Sequence, residues 1–424
     1  MSEDEDVLGS YRPAFFKMKV KVDGDIVLNS MAPKDFSVFF HEYIHFIQDF
    51  TTAACCRRIY VYGEFVRQCI KQITAGQSSF SVPVSIPKLE NNVMPNIEVL
   101  NRIEGDNGDM SVVVIREIDT LPEEITDKDG NKLAFESLCI TTVGDMPISI
   151  GTRAMKESMA YLVEQLCTSD YEKSPDYPYN IARLICDYML GENRIDNISL
   201  LALCDISLLT SNPGISFYRN LCMIRDGVLE VKRPEDIYDY FYQSHSITYD
   251  TGKVVLSITD YLQSACMALG ALKEYYALNR LKDLNEWLDK VFSIGAFFRF
   301  QRPYFMLEMA RGAKDKANGV LQFFAKEIGS PLMENNQGQM FKLQLAGGEP
   351  PTEYLYVLEQ IYYLFKEGKK ECALKPWCTV KSGEPEAPAD DRCDTAPWLR
   401  CRDNNLCPYA VFWHHRKLSN FVPQ

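Results

Sequence analysis

His41-Glu42-Tyr43-Ile44-His45 is the stretch whose residue types and spacing could do chemistry. On a helix, positions four apart lie on one face about one turn apart, so both imidazoles can aim at a single point. Glu42 follows His41 directly and can reach a water held there. Two imidazole ligands, an open coordination position and a neighbouring carboxylate base are what zinc-assisted hydrolysis requires. The H-E-x-x-H pattern carries that meaning only on a helix. The chain has 5 His in 424 residues, so chance would produce the pattern on the order of 0.003 times.

The flanks supply the helix. Phe36-Ser37-Val38-Phe39-Phe40 precedes the motif and Phe46-Ile47-Gln48-Asp49-Phe50 follows it, apolar on almost every side. That pattern predicts a buried helix over about Pro33 to Phe50, with Ser30 in its N-cap region and Pro33 in its first turn. Two imidazoles and a carboxylate without partners would be costly inside such a helix, and a metal removes most of that cost. Upstream, Phe16, Met18, Val20 and Val22 alternate with Lys17, Lys19 and Lys21. This predicts a β-hairpin over 14–30, turning at Asp23-Gly24 and returning through Ile26, Val27 and Leu28. A second helix is expected from Thr51 to about Ile73.

A catalytic zinc usually has three protein ligands. A third His six residues past His45, preceded by a Gly three residues past it, is one arrangement; those positions hold Thr51 and Gln48. The alternative is an acid on a later helix, and Glu157 is the first candidate. Gly151-Thr152 opens a helix in which Met155, Met159, Leu162, Val163 and Leu166 form an apolar stripe. Glu157, Tyr161 and Glu164 share another face. One acid there could bind metal while the others orient its ligands, and Glu164 is the second choice. Two surrounding roles are open as well. Asp49, one turn beyond His45, could orient a ligand, and Tyr161, His245 or Tyr249 could stabilise a developing oxyanion.

The H-E-x-x-H helix with the later Glu157-Ser158-Met159-Ala160 resembles the gluzincin branch of the zincin metallopeptidases, over some 35 residues. Those carry a downstream helical Glu, often as Glu-Gly-x-Ala; Ser158 replaces the Gly here. The resemblance implies zinc held by His41, His45 and Glu157, with Glu42 as general base. Some gluzincins place an Asp four residues after the third ligand, where this chain has Tyr161. Zincins commonly bind substrate along a sheet edge near the motif helix. The 14–30 hairpin or Val112–Ile118 could supply that edge.

The remaining chain sets the frame. Residues 78–150, broken by Pro and Gly, read as a β-rich insertion with runs at Phe80–Val84, Val112–Ile118 and Leu138–Val143 and a hairpin tip at Asp127-Lys128-Asp129-Gly130. Helices are expected over 178–190, 196–209, 214–224, 234–244, 254–280, 283–298, 315–328 and 352–367. Lys381 to Asp391 reads as a flexible loop. The fold class is therefore α+β and predominantly helical. A zincin-like catalytic core spans 1–195, a helical region 196–370 packs on it, and a Cys-rich unit spans 371–424.

Hydrophobic content of 46% and 12% aromatic residues fit a globular protein. A net charge of −13 argues against nucleic acid or an anionic membrane surface as partner. The acidic start, Met1 to Asp6, lacks a secretory pattern, and no apolar run is long enough to span a membrane. Nine of the 14 Cys lie scattered in apolar segments, which suits reduced thiols and a cytoplasmic location. The other five, Cys372, Cys378, Cys393, Cys401 and Cys407, crowd the end with His414 and His415. Thiolates with imidazole suit a second, structural zinc, although the C-x2-C pairs of zinc fingers are absent. The functional expectation is a zinc-dependent metalloprotease acting on a protein or peptide, restrained by specificity or by a regulatory protein partner. A metal-stabilised scaffold and a hydrolase of non-peptide amides are the alternatives.

Overall fold

The computed structural model describes residues 9–22, 28–76, 78–87, 92–169, 171, 173–249, 252–278, 281–343, 350–380 and 388–424. Strands β1 (Gly9–Arg12) and β2 (Lys17–Val20) form an antiparallel hairpin, Gly9 facing Val20 and Arg12 facing Lys17. The alternation around Met18 and Val20 does mark a strand. Its partner, however, is the segment before it, not the one after it. The turn at residues 13–16 uses positive φ at Ala14 and Phe16, residue types that give no turn signal. Leu28–Ser30 is a short 3-10 turn. The expected turn at Asp23-Gly24 and the return through Ile26 and Val27 lie outside the described residues, as does Met1 to Asp6.

Helix α1 (Pro33–Thr51) carries the motif, with Pro33 in its first turn. Every residue from Phe36 to Thr51 is buried, as its all-round apolar sequence requires. Thr52 takes an extended conformation and separates α1 from α2 (Ala53–Ala75). Beyond β3 (Ser79–Phe80), the stretch expected to be β-rich contains a helix, α3 (Val93–Glu104). Pro95 disguises it; a proline is tolerated in the first turn, where its missing N–H costs no helical bond. Strands β4 (Ile115–Thr126), β5 (Lys132–Thr142) and β6 (Pro147–Ile150) form an antiparallel sheet. Its first hairpin turns at Asp127–Gly130, where Asp127 accepts the backbone N–H groups of Asp129 and Asn131. The sheet delivers the chain through Gly151 to α4 (Thr152–Cys167). A Cβ on Gly151 would lie 2.0 Å from the Ile103 carbonyl oxygen, so only glycine lets α4 start this close to the end of α3.

The helical remainder follows the expected order, with ends shifted by a few residues. It comprises α5 (Ile181–Leu190), α6 (Asn197–Leu208), α7 (Pro213–Arg225) and α8 (Pro234–Ser244). After the hairpin β7 (Ser246–Tyr249) and β8 (Gly252–Val255) come α9 (Leu256–Tyr275), α10 (Lys282–Gln301), α11 (Phe305–Arg311) and α12 (Gly319–Glu327). Strands β9 (Met333–Glu334) and β10 (Met340–Phe341) extend the first sheet to the order β1-β2-β9-β10, with β9 parallel to β2. Helix α13 (Glu353–Glu367) leads into α14 (Lys375–Val380), α15 (Arg392–Thr395) and α16 (Pro408–His415). Strand β11 (Val422–Pro423) then pairs in parallel with β3. Residues 381–387 of the expected loop lie outside the described residues. The architecture is α+β and mainly helical, and one hydrophobic cluster runs from Ala14 to Leu418. Among the described residues no helix is long and apolar enough to cross a membrane.

The C-terminal end of α1 is fixed by a buried ion pair. Arg299 on α10 makes two 2.7 Å bonds to the Asp205 carboxylate on α6 and donates through Nε to the Thr51 carbonyl at 2.7 Å. Tyr238 on α8 donates to the same carboxylate at 2.7 Å. Three helices thus meet at one carboxylate and Arg299 ties α1 to them, and both charged side chains are fully buried. Removing one partner strands the other charge in the core. Asp205→Ala should lower unfolding free energy by about 3–5 kcal/mol, measured by urea denaturation. Loss of the exposed Lys232–Glu230 pair should cost at most about 1 kcal/mol.

Candidate metal centre

Helices α1 and α4 pack antiparallel. His41 meets Glu164, His45 meets Glu157, and Gln48 meets the Lys156 carbonyl, so α1 ascends as α4 descends. This brings together His41, His45 and Glu157, the expected ligand set. Among the described residues they are the one group of three His, Cys, Asp or Glu residues whose ligand atoms all lie within 4.8 Å. Glu157 Oε2 stands 3.1 Å from His45 Nε2 and 3.5 Å from His41 Nε2. A tetrahedral metal with bonds near 2.1 Å would set such atoms about 3.4 Å apart.

The other ring nitrogens are held from behind. His41 Nδ1 lies 3.0 Å from Glu164 Oε2, and His45 Nδ1 lies 2.8 Å from Gln48 Oε1. The Gln48 amide nitrogen donates to the Lys156 carbonyl at 3.3 Å, which turns its oxygen toward His45. With Nδ1 of each ring engaged by an oxygen behind it, each Nε2 faces the Glu157 carboxylate. Two ring nitrogens and a carboxylate oxygen converge, an arrangement that positive charge stabilises, carried on the rings as protons or held between them as a metal ion. Burial works against a charged His41, but the hydrogen bonds with Glu157 and Glu164 outweigh it and lift its pKa to about 10. Burial likewise opposes an ionised Glu157; His45 and His41 outweigh it and hold that carboxyl well below its ordinary value. His45 is held below its ordinary value by burial. The donor set, two imidazole nitrogens and a carboxylate with partners behind both rings, fits a divalent zinc-class ion.

Glu42 completes the centre. It is 4% exposed, and its Oε2 has no hydrogen-bond partner. Burial pushes its carboxyl up to about 8, partly offset by His41. Strand β1 passes directly above it. A Cβ on Gly9 would lie 2.5 Å from Glu42 Oε1, so glycine alone allows the strand to pass there. The hairpin is tied down by Asp49, whose Oδ2 accepts from the Tyr11 hydroxyl and the Ala14 N–H, both at 2.9 Å. Tyr11 also stacks on the His45 ring at 6.1 Å. Asp49 thus anchors the roof and does not orient a ligand; Gln48 does that for His45.

Of the side chains considered for an oxyanion, Tyr161 has its hydroxyl on the Ser174 N–H and its ring against Tyr171 and Tyr179. His245 has Nδ1 3.1 Å from the Phe241 carbonyl and from the Ser244 hydroxyl. The Tyr249 side chain lies outside what is described. Tyr179, which the sequence reading missed, has its ring 6.0 Å from that of His41. Its hydroxyl is raised above its ordinary value by burial and then by Glu157. The only sequence signal for it was a cluster of Tyr and Pro at 177–179. A cleft of about 600 Å³ opens beside Glu157, lined by Tyr11, Arg12, Arg58, Arg153 and Lys156 among others.

At the C-terminal end, Cys372, Cys378, Cys393 and Cys407 line one small cavity. Cys401 is buried but does not line it. His414 is exposed, with Nδ1 3.2 Å from the Ser419 hydroxyl. No family model, curated protein or solved structure matches the chain.

Partners behind metal-binding imidazoles typically matter 10–100-fold. Glu164→Gln and Gln48→Leu should each keep the fold and weaken zinc binding about 10–100-fold, read by competition with a chromogenic chelator. Unchanged affinity in both would remove these residues from the centre.

Proposed function

We propose that the chain is a zinc-dependent metallopeptidase of the zincin type. It would hydrolyse a protein or peptide substrate, with His41, His45 and Glu157 holding the metal and Glu42 as general base. Glu42 is the observation that carries this reading. A purely structural zinc takes four protein ligands. Here three side chains converge, and the next polar group is a buried carboxylate whose Oε2 has no hydrogen-bond partner. A buried carboxylate oxygen left without a partner is costly to keep, which favours a working role for Glu42.

When bound, zinc would supply Lewis acidity, polarising the scissile carbonyl and making a water acidic near neutral pH. Glu42 takes the proton of the attacking water and passes it to the departing amine. Its raised pKa suits proton transfer in both directions. Tyr179 offers a hydroxyl donor to the carbonyl oxygen as charge develops there. Glu164 and Gln48 hold the two rings in the tautomer that binding needs. Among the described residues β1 is an edge strand, and Ser10, Tyr11 and Arg12 line the cleft. An extended substrate can pair with such an edge through main-chain hydrogen bonds. The hairpin, rather than Val112–Ile118, is thus the sheet edge of the proposal. All fourteen cysteines are free thiols, which suits the reducing conditions of a cytoplasm.

The test is Glu42→Gln. Its zinc content should match wild type, while cleavage of a mixed library of quenched fluorescent peptides should fall on the order of 100-fold or more. Undiminished cleavage with the metal retained would reject Glu42 as the base.

A further inference from the structure

Four cysteines on four successive segments of the C-terminal end line one cavity. Cys372 follows α13, Cys378 lies in α14, Cys393 in α15, and Cys407 immediately precedes α16. The cavity measures about 10 Å³, and ten residues line it. Four of those ten are Cys, in a chain with 14 Cys among 424 residues. A hole of this size holds about one water-sized particle, and cysteine is the commonest residue lining it.

The charge around it is equally specific. Arg400 is 3% exposed, and its Nη1 donates to Cys393 Sγ at 3.3 Å. Lys375 lines the same cavity. Arg400 also donates to the Pro388 carbonyl at 2.7 Å and lies 3.7 Å from Asp390 and 3.6 Å from Asp403, while Lys375 pairs with Asp394 at 2.7 Å. Four thiolates around a divalent ion would carry a net charge of −2, which the guanidinium on Cys393 would offset in part. A backbone bond from Cys372 N–H to the Cys393 carbonyl at 2.7 Å holds two of the four segments together.

We infer that Cys372, Cys378, Cys393 and Cys407 form a closed four-thiolate zinc site that staples the C-terminal unit, separate from the His41–His45–Glu157 centre. Each thiol releases its proton to solvent as it binds, and no electron is transferred. Cys401 and His414, both candidates by sequence, fall outside it. In the structure every trio of these sulfurs has at least one separation beyond 4.8 Å. A zinc–sulfur tetrahedron with bonds of about 2.3 Å has edges of about 3.8 Å, so the site closes on binding. One χ1 step moves a cysteine sulfur by about 3 Å, which would draw a thiol inward while its helix stays in place.

The experiment counts zinc in the full-length protein. Wild type should hold two zinc ions per chain. His41→Ala with His45→Ala should hold one, and adding Cys372→Ser and Cys407→Ser should leave none. Cys401→Ser with His414→Ala should still hold two. Cobalt(II) added to metal-free wild type provides a readout independent of the folding of any variant. An intense thiolate-to-cobalt charge-transfer band is expected in the near ultraviolet. Absence of that band, or a double-histidine variant that is folded but free of zinc, would overturn the inference. Neither result would bear on whether Glu42 is a catalytic base.

Discussion

A helix buried on every side must satisfy its polar groups from within the protein, and α1 carries five of them in nine residues: His41, Glu42, His45, Gln48 and Asp49. Much of the surrounding structure answers that demand. Helix α4 supplies carboxylates to both rings, and the β1–β2 turn supplies a hydroxyl and an N–H to Asp49. Arg299 receives the carbonyl at the helix end. What is left over is small and specific. It comprises one oxygen of Glu42 and one of Asp49, beside two Nε2 atoms and a Glu157 oxygen that converge on one another.

The legible part of the centre was the part written in local periodicity. His41 and His45 four apart, and Glu157 and Glu164 seven apart on an amphipathic helix, place their side chains on single faces without any knowledge of the fold. Gln48 was visible only as the wrong residue for another ligand pattern. Its actual role depends on an amide orientation set by the Lys156 carbonyl, a contact across 108 positions. Asp49 was misjudged for a related reason. One helical turn beyond His45 is the natural place for a partner, but the turn at residues 13–16 claims that carboxylate. Tyr179 lies on a turn with no repeating pattern, so nothing local distinguishes it from the chain's other tyrosines.

The same division holds for the fold. Long periodic helices were readable to within a few residues, because their apolar spacing is enforced by one continuous core. The pairing of β2 with the segment before it is not legible, because its turn is made by Ala14 and Phe16 at positive φ. The surrounding contacts stabilise a conformation that the residue types disfavour. Helix α3 was hidden by Pro95, and α11 is only seven residues long, too short for periodicity to show. At the C-terminal end the cysteines were conspicuous, yet spacing alone could not separate Cys401 from its neighbours. Which thiols share a wall is decided by how α14, α15 and α16 turn against each other.

Gly9 places the backbone of β1 in van der Waals contact with the carboxylate that would do the chemistry. A polypeptide zipped onto the outer side of that strand would arrive in a fixed phase, alternate residues facing the cleft and facing away. Under the proposed function, such a groove would sense chain polarity and straightness before side-chain identity. Compact targets would then be inert until a segment frayed, and the conformational state of the target, as much as its composition, would decide what is cut.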